Sequence, residues 1–346
     1  MRVAVVAPPW LPVPPPQYGG TELVLDGLCR ALVALGHEVL LCTTGDSTCD
    51  VERSWTFERA CGTASMQSCT ELRHVIGAYD AIRRWGADIV HDHTLVGPFY
   101  AARYPALPVV TTSHGPFESD LGAIYTALAS RIPTIAISRD QASAAGLATL
   151  AGVIHHGVDL ESFPLGAGAG GYALFLGRMC REKGVARAIR IARSAEVPLR
   201  IAAKMREPGE IAYFAEVVEP LLGGSVEYVG EVGQDRKIEL LGDALCLLNP
   251  IAWPEPFGMV MVEALACGTP VVATSAGATT EIVDEGVTGY ICNSDEEFRS
   301  ALDQIDRLDR VKCRQVVQER FSTLRMAREH ISVFERLLRT GASEIC

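Results

Sequence analysis

The sequence has 346 residues, a formal net charge of −11 at pH 7 and a hydrophobic content of 48%. This length predicts more than one domain, and the composition is that of a globular protein. The acidic balance argues against nucleic acid as a partner, because the phosphate backbone requires a basic surface, and it disfavours attachment to anionic lipid. No stretch approaches the roughly 18–20 apolar residues needed to span a bilayer.

The 11 cysteines are scattered among apolar neighbours. They form neither a CxxC pair nor a cysteine–histidine cluster with the spacing of a zinc site. This distribution predicts reduced thiols in the core of a cytoplasmic protein, with no metal site.

Two series of strand patterns alternate with helix patterns along the chain. The first series predicts strands at 3–7, 38–42, 89–91, 109–113 and 134–137 and helices at 21–35 and 72–85. Thr21 is the expected cap of the first helix, and Gly36 lies just past its end. The second series predicts strands at 172–177, 199–203, 226–229, 245–249 and 270–273 and a helix at 185–194. A segment rich in glycine and alanine at 165–171 lies between the two series and is typical of a linker.

Continuous apolar strands joined by helices predict a parallel sheet covered on both faces, so the fold class is α/β with two doubly wound, Rossmann-like domains. The domains are expected at residues 1–160 and 165–321. An amphipathic helix within 322–346 is expected to return to the N-terminal domain. Ligands of such sheets bind at the carboxyl ends of the strands, so we expect a cleft where the two domains face each other.

The segment at 249–274, NPIAWPEPFGMVMVEALACGTPVVAT, is the most informative one. Its prolines force a non-helical turn around Glu255, and a helix is predicted from 257 to 266. Glu255 and Glu263 stand eight residues apart at the same end of this helix; the alternative is a capped helix with one buried glutamate. The first-turn amides form an anion site suited to a pyrophosphate, and they come from Phe257, Gly258, Met259 and Val260.

Three further motifs place functional groups at predicted strand ends or helix starts. Arg178 and Lys183 follow a strand at the position where a basic pair reaches a diphosphate, and solvated surface charges are the alternative. Gly19 and Gly20 precede the first helix and allow the backbone to approach a phosphate, and a simple turn is the alternative. His114 lies at a strand end on a Gly-Pro turn, and a structural histidine is the alternative.

In their order along the chain, these motifs resemble the retaining glycosyltransferases of family 4, which have the GT-B fold. WPEPFGMVMVEALACGTPVVAT is similar to that family's C-terminal signature, in which two glutamates stand eight residues apart before a Gly-Thr-Pro turn. The segments YGGTE, DIVHDHT, TTSHG, HHGVDLESF, LGRMCREKGV and GATTEIVDEGVTGY follow the family's order. The resemblance therefore covers nearly the whole chain.

The resemblance implies a role for each site residue. The implied catalytic residues are His114 at a donor-sugar hydroxyl, Arg178 and Lys183 at the diphosphate, and Glu255 at the sugar hydroxyls. The implied donor-binding residues are Gly19, Gly20, Val232 near the base, Phe257, Gly258, Met259, Val260, and Glu263 at the ribose. No cofactor and no metal are implied, because the basic residues stabilise the leaving group.

The implied reaction is retaining transfer of a hexose from a nucleoside diphosphate sugar, with UDP favoured, to a hydroxyl acceptor. Residues 1–155 contain 10 Arg, no Lys and 14 Asp or Glu, which favours a soluble small molecule or oligosaccharide as the acceptor. Two alternatives stay open: a non-hydrolysing UDP-sugar epimerase, which shares the architecture, and a non-catalytic protein that binds nucleotide sugars. The sequence leaves the base, the acceptor and the oligomeric state open.

Overall fold

The computed structural model describes residues 1–62, 67–117, 119–128, 131–145 and 150–343. The chain divides into two compact units. The first comprises Met1–Gly157 and the C-terminal segment from Thr323, and the second comprises Val158–Ser322. Each unit is built on a parallel sheet with helices, which confirms the predicted α/β class.

Within the described residues, the first unit contains a sheet of seven parallel strands. They are β1 (Arg2–Val6), β2 (Glu38–Thr43), β3 (Glu52–Trp55), β4 (Ile89–Asp92), β5 (Val109–Thr112), β6 (Thr134–Ala136) and β7 (Leu150–Val153). The five predicted strands are present within about one residue of their expected ends. The edge strands β3 and β7 were not predicted, because neither contains a fully buried apolar run.

The helices of this unit that precede the second unit are α1 (Gly20–Ala34), α2 (Ser68–Trp85), α3 (Gly97–Tyr100), α4 (Ser119–Leu128) and α5 (Arg139–Ala145). The predicted capping role of Thr21 is wrong. Gly19 occupies the N-cap position without a side-chain cap, so Thr21 lies inside the first turn. Gly36 follows the helix as predicted, with a φ of 85° that favours glycine.

The second unit contains a sheet of six parallel strands. They are β8 (Ala173–Arg178), β9 (Leu199–Lys204), β10 (Val226–Gly230), β11 (Cys246–Asn249), β12 (Val271–Thr274) and β13 (Gly289–Cys292). The five predicted strands again lie within about one residue of their expected ends, whereas β13 was not predicted. Its core side chains include Phe175, Ile189, Ile201, Leu248 and Phe298.

The helices of the second unit are α6 (Val185–Ser194), α7 (Pro208–Tyr213), α8 (Gln234–Asp243), α9 (Met259–Ala266), α10 (Thr279–Ile282), α11 (Asp295–Leu302) and α12 (Arg310–Arg320). The last helix, α13 (Thr323–Ser343), belongs to the first unit and packs against α1. The two helices approach each other closely at Gly27 of α1, where an added Cβ atom would lie 2.8 Å from Cγ2 of Thr323.

The segment predicted as a linker is instead bound into the second unit. Gly166 N–H donates to the Cys267 carbonyl and Gly168 N–H donates to the Gly242 carbonyl, each at 2.9 Å. The Arg310 guanidinium donates to the carbonyls of Gly166, Gly242 and Ala244. The glycines allow this close backbone packing, since a Cβ atom on Gly166 would lie 2.2 Å from Gly242. The glycine-rich composition of this segment, which is typical of flexible linkers, here allows close packing of the backbone.

Both sheets have one reversal of winding, which locates a ligand crevice in each. The first runs β3-β2-β1-β4-β5-β6-β7 and the second β10-β9-β8-β11-β12-β13. Winding therefore reverses between β1 and β4 in the first sheet and between β8 and β11 in the second. In doubly wound sheets, ligands bind beyond the carboxyl ends of the strands at this reversal.

Candidate active site

The reversal point of the second sheet brings two predicted loops together. The loop after β8 carries Lys183 in a short 3-10 turn, and the loop after β11 carries Glu255. Ala252 N–H donates to the Glu182 carbonyl at 2.8 Å, which ties one loop to the other. Gly184 has a φ of 78°, and a Cβ atom there would lie 2.2 Å from the Pro250 oxygen. A side chain at this position would therefore separate the loops.

Lys183 and Glu255 form an ion pair at this junction. The Lys183 ammonium donates to Oε2 of Glu255, and the two side chains are only 12% and 14% exposed. Trp253 Nε1–H donates to the same oxygen at 3.0 Å, and Lys183 Nζ lies 5.4 Å from the centroid of the Trp253 ring. The predicted basic and acidic residues thus meet. Trp253 was not predicted as a site residue, although its position two residues before Glu255 in the same motif could have indicated it.

The main chain of Glu255 is held by the loop after β12. Ala278 N–H donates to the Glu255 carbonyl at 2.9 Å. Gly277 has a φ of 57°, and a Cβ atom there would lie 2.2 Å from the Glu255 carbonyl oxygen and 2.3 Å from its nitrogen. Glycine is therefore required at 277 by both conformation and space.

The helix after Glu255 starts later than predicted. It begins at Met259, because Gly258 has a φ of 94°, a left-handed conformation that cannot belong to a right-handed helix. Phe257 and Gly258 therefore precede the helix, and their predicted place in its first turn is wrong. Met259 and Val260 are in the first turn as predicted, and their amides are those without an intrahelical acceptor. Phe257 is buried, with its ring 6.1 Å from that of Phe321.

The second predicted glutamate, Glu263, lies in the interior of α9. Its carboxylate is almost fully buried and its Oε1 accepts a hydrogen bond from Lys237 Nζ at 2.6 Å. Lys237 comes from α8 and was not predicted. Val232 lies half-buried in the loop before α8, at the carboxyl end of β10. No local pattern pointed to a partner for Glu263, because Lys237 is 26 residues away along the chain.

Arg178 is the last residue of β8 rather than part of the loop that follows, which corrects the predicted strand end. Its Nη1 lies 3.7 Å from Oε1 of Glu210, a buried carboxylate. Lys204, the register partner of Arg178 on β9, places its Nζ 3.8 Å from the same oxygen. A second group of charges thus lies at this end of the sheet. Lys204 and Glu210 were missed because the sequence places neither in a recognised motif.

The predicted glycines of the first unit lie after β1. Gly19 is the N-cap of α1 and Gly20 is its first residue. A Cβ atom on Gly19 would lie 2.7 Å from Cβ of Pro15, so the close approach there is to a side chain of this unit's own loop. Glu22 is buried in the first turn, and burial raises the pKa of its carboxyl to about 7.

His114 follows β5 and belongs to a row of hydrogen-bonded histidines. Its Nε2 lies 2.8 Å from Nδ1 of His93, and its Nδ1 lies 3.3 Å from Nε2 of His156. His91 extends the group, with ring centroids 4.0 Å from His93 and 4.9 Å from His330. Both ring nitrogens of His114 are therefore occupied. A sugar hydroxyl at His114 would have to replace one of these contacts, the longer one being that to His156.

The five histidines are neutral at pH 7. Burial lowers the pKa of His114 and His330 to about 4, and lowers the pKa of His91, His93 and His156 well below the ordinary value. A neutral ring donates from one nitrogen and accepts at the other, so the tautomers along the row are coupled. His93 Nε2 is buried without a hydrogen-bond partner among the described residues. A proton on His93 Nε2 would be a buried donor without an acceptor, so the neutral ring carries its proton on Nδ1. His93 Nδ1–H therefore donates to Nε2 of His114, and His114 Nδ1–H donates to Nε2 of His156.

Gln141 fixes the loop that carries His114. Its Nε2 donates to the carbonyls of Ser113 at 3.1 Å and Gly115 at 2.6 Å. Its Oε1 accepts from Ile137 N–H at 2.8 Å. This buried amide was missed, because a single glutamine in a helix carries no sequence pattern.

Two kinds of feature are absent from the part of the chain that the structure describes. In that part of the chain, no group of three or more His, Cys, Asp or Glu side chains has an arrangement that could hold a metal ion. Among the helices described, none is long and apolar enough to cross a membrane.

The two doubly wound parallel sheets match those of glycosyltransferases with the GT-B fold. AviGT4, a glycosyltransferase involved in avilamycin A biosynthesis, superposes with a TM-score of 0.77, 25% identity and coverage of 98% of both chains. HepE of Anabaena, solved with UDP-glucose, superposes with a TM-score of 0.71 and 18% identity over 99% of this chain and 100% of that chain.

The chain belongs to glycosyltransferase family 4. The model for glycosyl transferases group 1 matches residues 164–318, and the model for glycosyltransferase family 4 matches residues 18–162. The chain is 29% identical over 257 residues to the alpha-maltose-1-phosphate synthase of Mycobacterium tuberculosis, covering 61% of this chain and 65% of that protein. It is 34% identical over 86 residues to a probable sucrose-phosphate synthase of Thermosipho melanesiensis, covering 24% of this chain and 20% of that protein. The match therefore spans less than two thirds of either relative.

Proposed function

We propose that the protein transfers a hexose from a nucleoside diphosphate sugar, with UDP as the preferred nucleotide, to a hydroxyl acceptor with retention of configuration. The observation that carries this proposal is the ion pair of Lys183 and Glu255 at the reversal point of the second sheet. It offers a cation for a diphosphate and a carboxylate for sugar hydroxyls within one hydrogen bond of each other. A family 4 chain is expected to use this pair on its donor.

In the proposed complex, the diphosphate lies against Lys183, Arg178 and the first-turn amides of α9. Ammonium, guanidinium and backbone N–H groups stabilise the charge that develops on the leaving diphosphate, and this contribution is the largest one in many enzymes. Glu263 accepts hydrogen bonds from the ribose hydroxyls. Glu255 accepts from hydroxyls of the sugar, and Lys183 stays beside it as the bridge to the phosphates.

The proposed bond changes occur on one face of the sugar. The bond from the anomeric carbon to the diphosphate oxygen breaks, the acceptor oxygen bonds to the same carbon, and the departing phosphate oxygen takes the acceptor's proton. Oε2 of Glu255 already accepts from Lys183 and Trp253. This argues for a hydrogen-bonding role of that carboxylate rather than a nucleophilic one. Arg178 and Lys183 supply the positive charge in this proposal, without a metal ion.

We propose UDP-hexoses as donors and a small soluble acceptor in the cytoplasm. HepE, whose fold is similar, was solved with UDP-glucose, which makes that nucleotide sugar the first to test. The acidic balance of residues 1–155, 10 Arg and no Lys against 14 Asp or Glu, disfavours an acceptor in an anionic membrane.

The decisive experiment is a thermal-shift screen followed by product analysis. At equal concentration, UDP, GDP, ADP and their hexose conjugates are expected to raise the melting temperature in the order of their affinities, with the preferred base giving the largest shift. The best donor is then incubated with a panel of sugar and polyol acceptors, and the anomeric configuration of the product is read by NMR. Absence of a shift with every nucleotide would overturn the donor site, and an inverted product would overturn the retaining reaction.

The same experiment separates the proposal from a non-catalytic binding protein. A transferase releases nucleoside diphosphate together with a glycosylated acceptor, and release depends on the second substrate. A binding protein shows the thermal shift with no product on any acceptor in the panel.

A further inference from the structure

The ion pair between Lys237 and Glu263 joins a buried carboxylate to an ammonium group that stays partly exposed. Glu263 is 4% exposed and lies on α9 between buried neighbours such as Val262 and Ala264. A carboxylate in such surroundings needs hydrogen bonds or an opposite charge to remain ionised. Lys237 Nζ provides both through its 2.6 Å contact to Oε1 of Glu263.

Lys237 reaches this carboxylate from a separate helix and retains capacity for a second contact. It lies one turn into α8, where its own N–H donates to the Gly233 carbonyl. Its side chain is 16% exposed, and its Nζ lies 5.9 Å from the centroid of the Phe163 ring. An ammonium group has three N–H donors, and the contact to Glu263 uses one of them.

The pair presents an acceptor and a donor at one point, which is the pattern that a sugar hydroxyl recognises. A hydroxyl donates one hydrogen bond and accepts others. A carboxylate alone can only accept the hydrogen bond that the hydroxyl donates, and it offers no donor to the hydroxyl oxygen. An ammonium beside it can donate to the oxygen of the same hydroxyl or of its vicinal neighbour.

We propose that Lys237 is a specificity-determining residue, which acts together with Glu263 to recognise the ribose hydroxyls of the donor. This inference rests on the proposed function, because it takes Glu263 as the ribose contact. Lys237 holds the carboxylate in one orientation and donates to a ribose oxygen. Its loss therefore weakens the discrimination between ribose and deoxyribose as well as the affinity itself.

The test compares nucleotide discrimination in the full-length chain and its variants. Calorimetry gives the dissociation constants of UDP, 2′-deoxy-UDP and 3′-deoxy-UDP, or of the corresponding GDP or ADP series if that base binds best. We expect the wild type to bind the ribonucleotide about tenfold or more tightly than at least one deoxy form, since a buried charged group would lose its hydroxyl partner. Lys237→Met is expected to reduce that ratio to about threefold or less.

The matched control is Arg236→Met, one residue earlier on the same helix. Arg236 pairs with Glu239, and both side chains are exposed, at 56% and 62%. This control removes a positive charge without touching Glu263, and it should leave the ratio unchanged. Lys237→Gln, which keeps an N–H donor but no charge, is the second variant and should retain part of the discrimination. Thermal melts of each variant verify that it is folded.

A double-mutant cycle tests whether the two residues act as a unit. If they do, Lys237→Met adds little to the loss of ribose discrimination already caused by Glu263→Gln. Equal weakening of ribonucleotide and deoxynucleotide binding by Lys237→Met would overturn the inference and leave Lys237 a structural role. A wild type that binds nucleotides without discriminating between them would also overturn it, whereas a wild type that binds none would overturn the proposed function instead.

Discussion

The two units place different polar chemistry at their reversal points. All eight histidines of the sequence lie in the first unit, and all four lysines lie in the second. The first unit gathers neutral imidazoles that bond to one another, whereas the second pairs ammonium groups with carboxylates. Buried neutral rings respond to protons, and ion pairs can exchange a partner with a charged ligand. From this contrast we expect acid sensitivity in the first unit and, under the proposed function, donor chemistry in the second.

The largest expected effect is loss of stability of the first unit in acid. An unfolded histidine binds a proton below about pH 6.5, whereas folded His114 and His330 stay neutral down to about pH 4. The unfolded state therefore binds more protons, and stability falls as the pH drops from about 6.5 toward 4. Each such proton contributes about 1.4 kcal/mol per pH unit. His91, His93 and His156 act in the same direction.

Three buried carboxyls of the first unit oppose this trend. Burial raises the pKa of Asp92 to about 6, that of Glu22 to about 7 and that of Glu71 above its ordinary value, so the stability that each contributes is lost as the pH rises through its folded pKa. Burial also lowers the pKa of His74 to about 4, so six histidines stand against three carboxyls. We therefore expect a net loss on the order of 2–4 kcal/mol per pH unit below pH 6.5. His330→Gln should reduce that slope.

Urea melts at several pH values measure the slope. Three of the four tryptophans lie in the first unit, so the Trp253→Phe background makes fluorescence report that unit alone. A free energy of unfolding that is flat between pH 6.5 and 5 would contradict the neutral histidine row.

The next largest effect concerns the ion pair of the second unit. Lys183→Ala and Glu255→Ala are each expected to lower kcat/KM on the order of a hundredfold or more, because each removes a contact that stabilises the transition state. Lys312→Ala, an exposed lysine on α12 of the same unit, is the matched control and should leave kcat/KM unchanged. Near-normal turnover in both site variants would show that donor chemistry lies elsewhere.

Sequence patterns were sufficient for the sheet interiors, but of the four edge strands they predicted only β10. Strands such as β1 and β8 are buried along nearly their whole length and consist mainly of apolar residues. The edge strands β3 and β7 are stabilised by pairing with a neighbouring strand, and pairing leaves no local pattern. Composition misled at 165–171, where glycines serve close backbone packing rather than flexibility.

The candidate site was predictable only where its residues lie within one motif. Glu255 and Glu263 were found because both lie in one distinctive segment. Lys237 and Gln141 act through contacts 26 residues or more from their own position, and such contacts depend on the tertiary fold. The start of α9 was misplaced because a glycine in sequence does not reveal whether it adopts a left-handed conformation, as Gly258 does with a φ of 94°.

Gly277→Ala is expected to give a smaller effect on the second unit. Its φ of 57° costs an alanine about 1 kcal/mol, and the new Cβ would meet the Glu255 main chain at 2.2–2.3 Å. We expect kcat/KM to fall about tenfold, because a displacement of Glu255 by a fraction of an ångström weakens its contacts. Gly286→Ala is the control, since its φ is 69° but nothing lies within 4 Å of its Cβ position. It should lose only the conformational cost of about 1 kcal/mol and keep its activity. Equal activity in the two variants would contradict the role of Gly277.

The smallest effect is expected at Gln141, which fixes the His114 loop by neutral hydrogen bonds alone. Gln141→Leu leaves the Ile137 N–H and the carbonyls of Ser113 and Gly115 without this partner, and should destabilise the first unit by about 1–2 kcal/mol. Thr126→Val removes an exposed hydrogen bond to the Gly122 carbonyl in the same unit and should cost about 0.5 kcal/mol or less. Urea melts in the Trp253→Phe background measure both variants. Because Gln141 is uncharged, its effect should be the same in 0.1 M and 1 M NaCl, whereas nucleotide binding by the second unit should weaken with salt. A salt-sensitive loss at Gln141 would mean that the first unit also relies on charge, and the contrast between the units would fail.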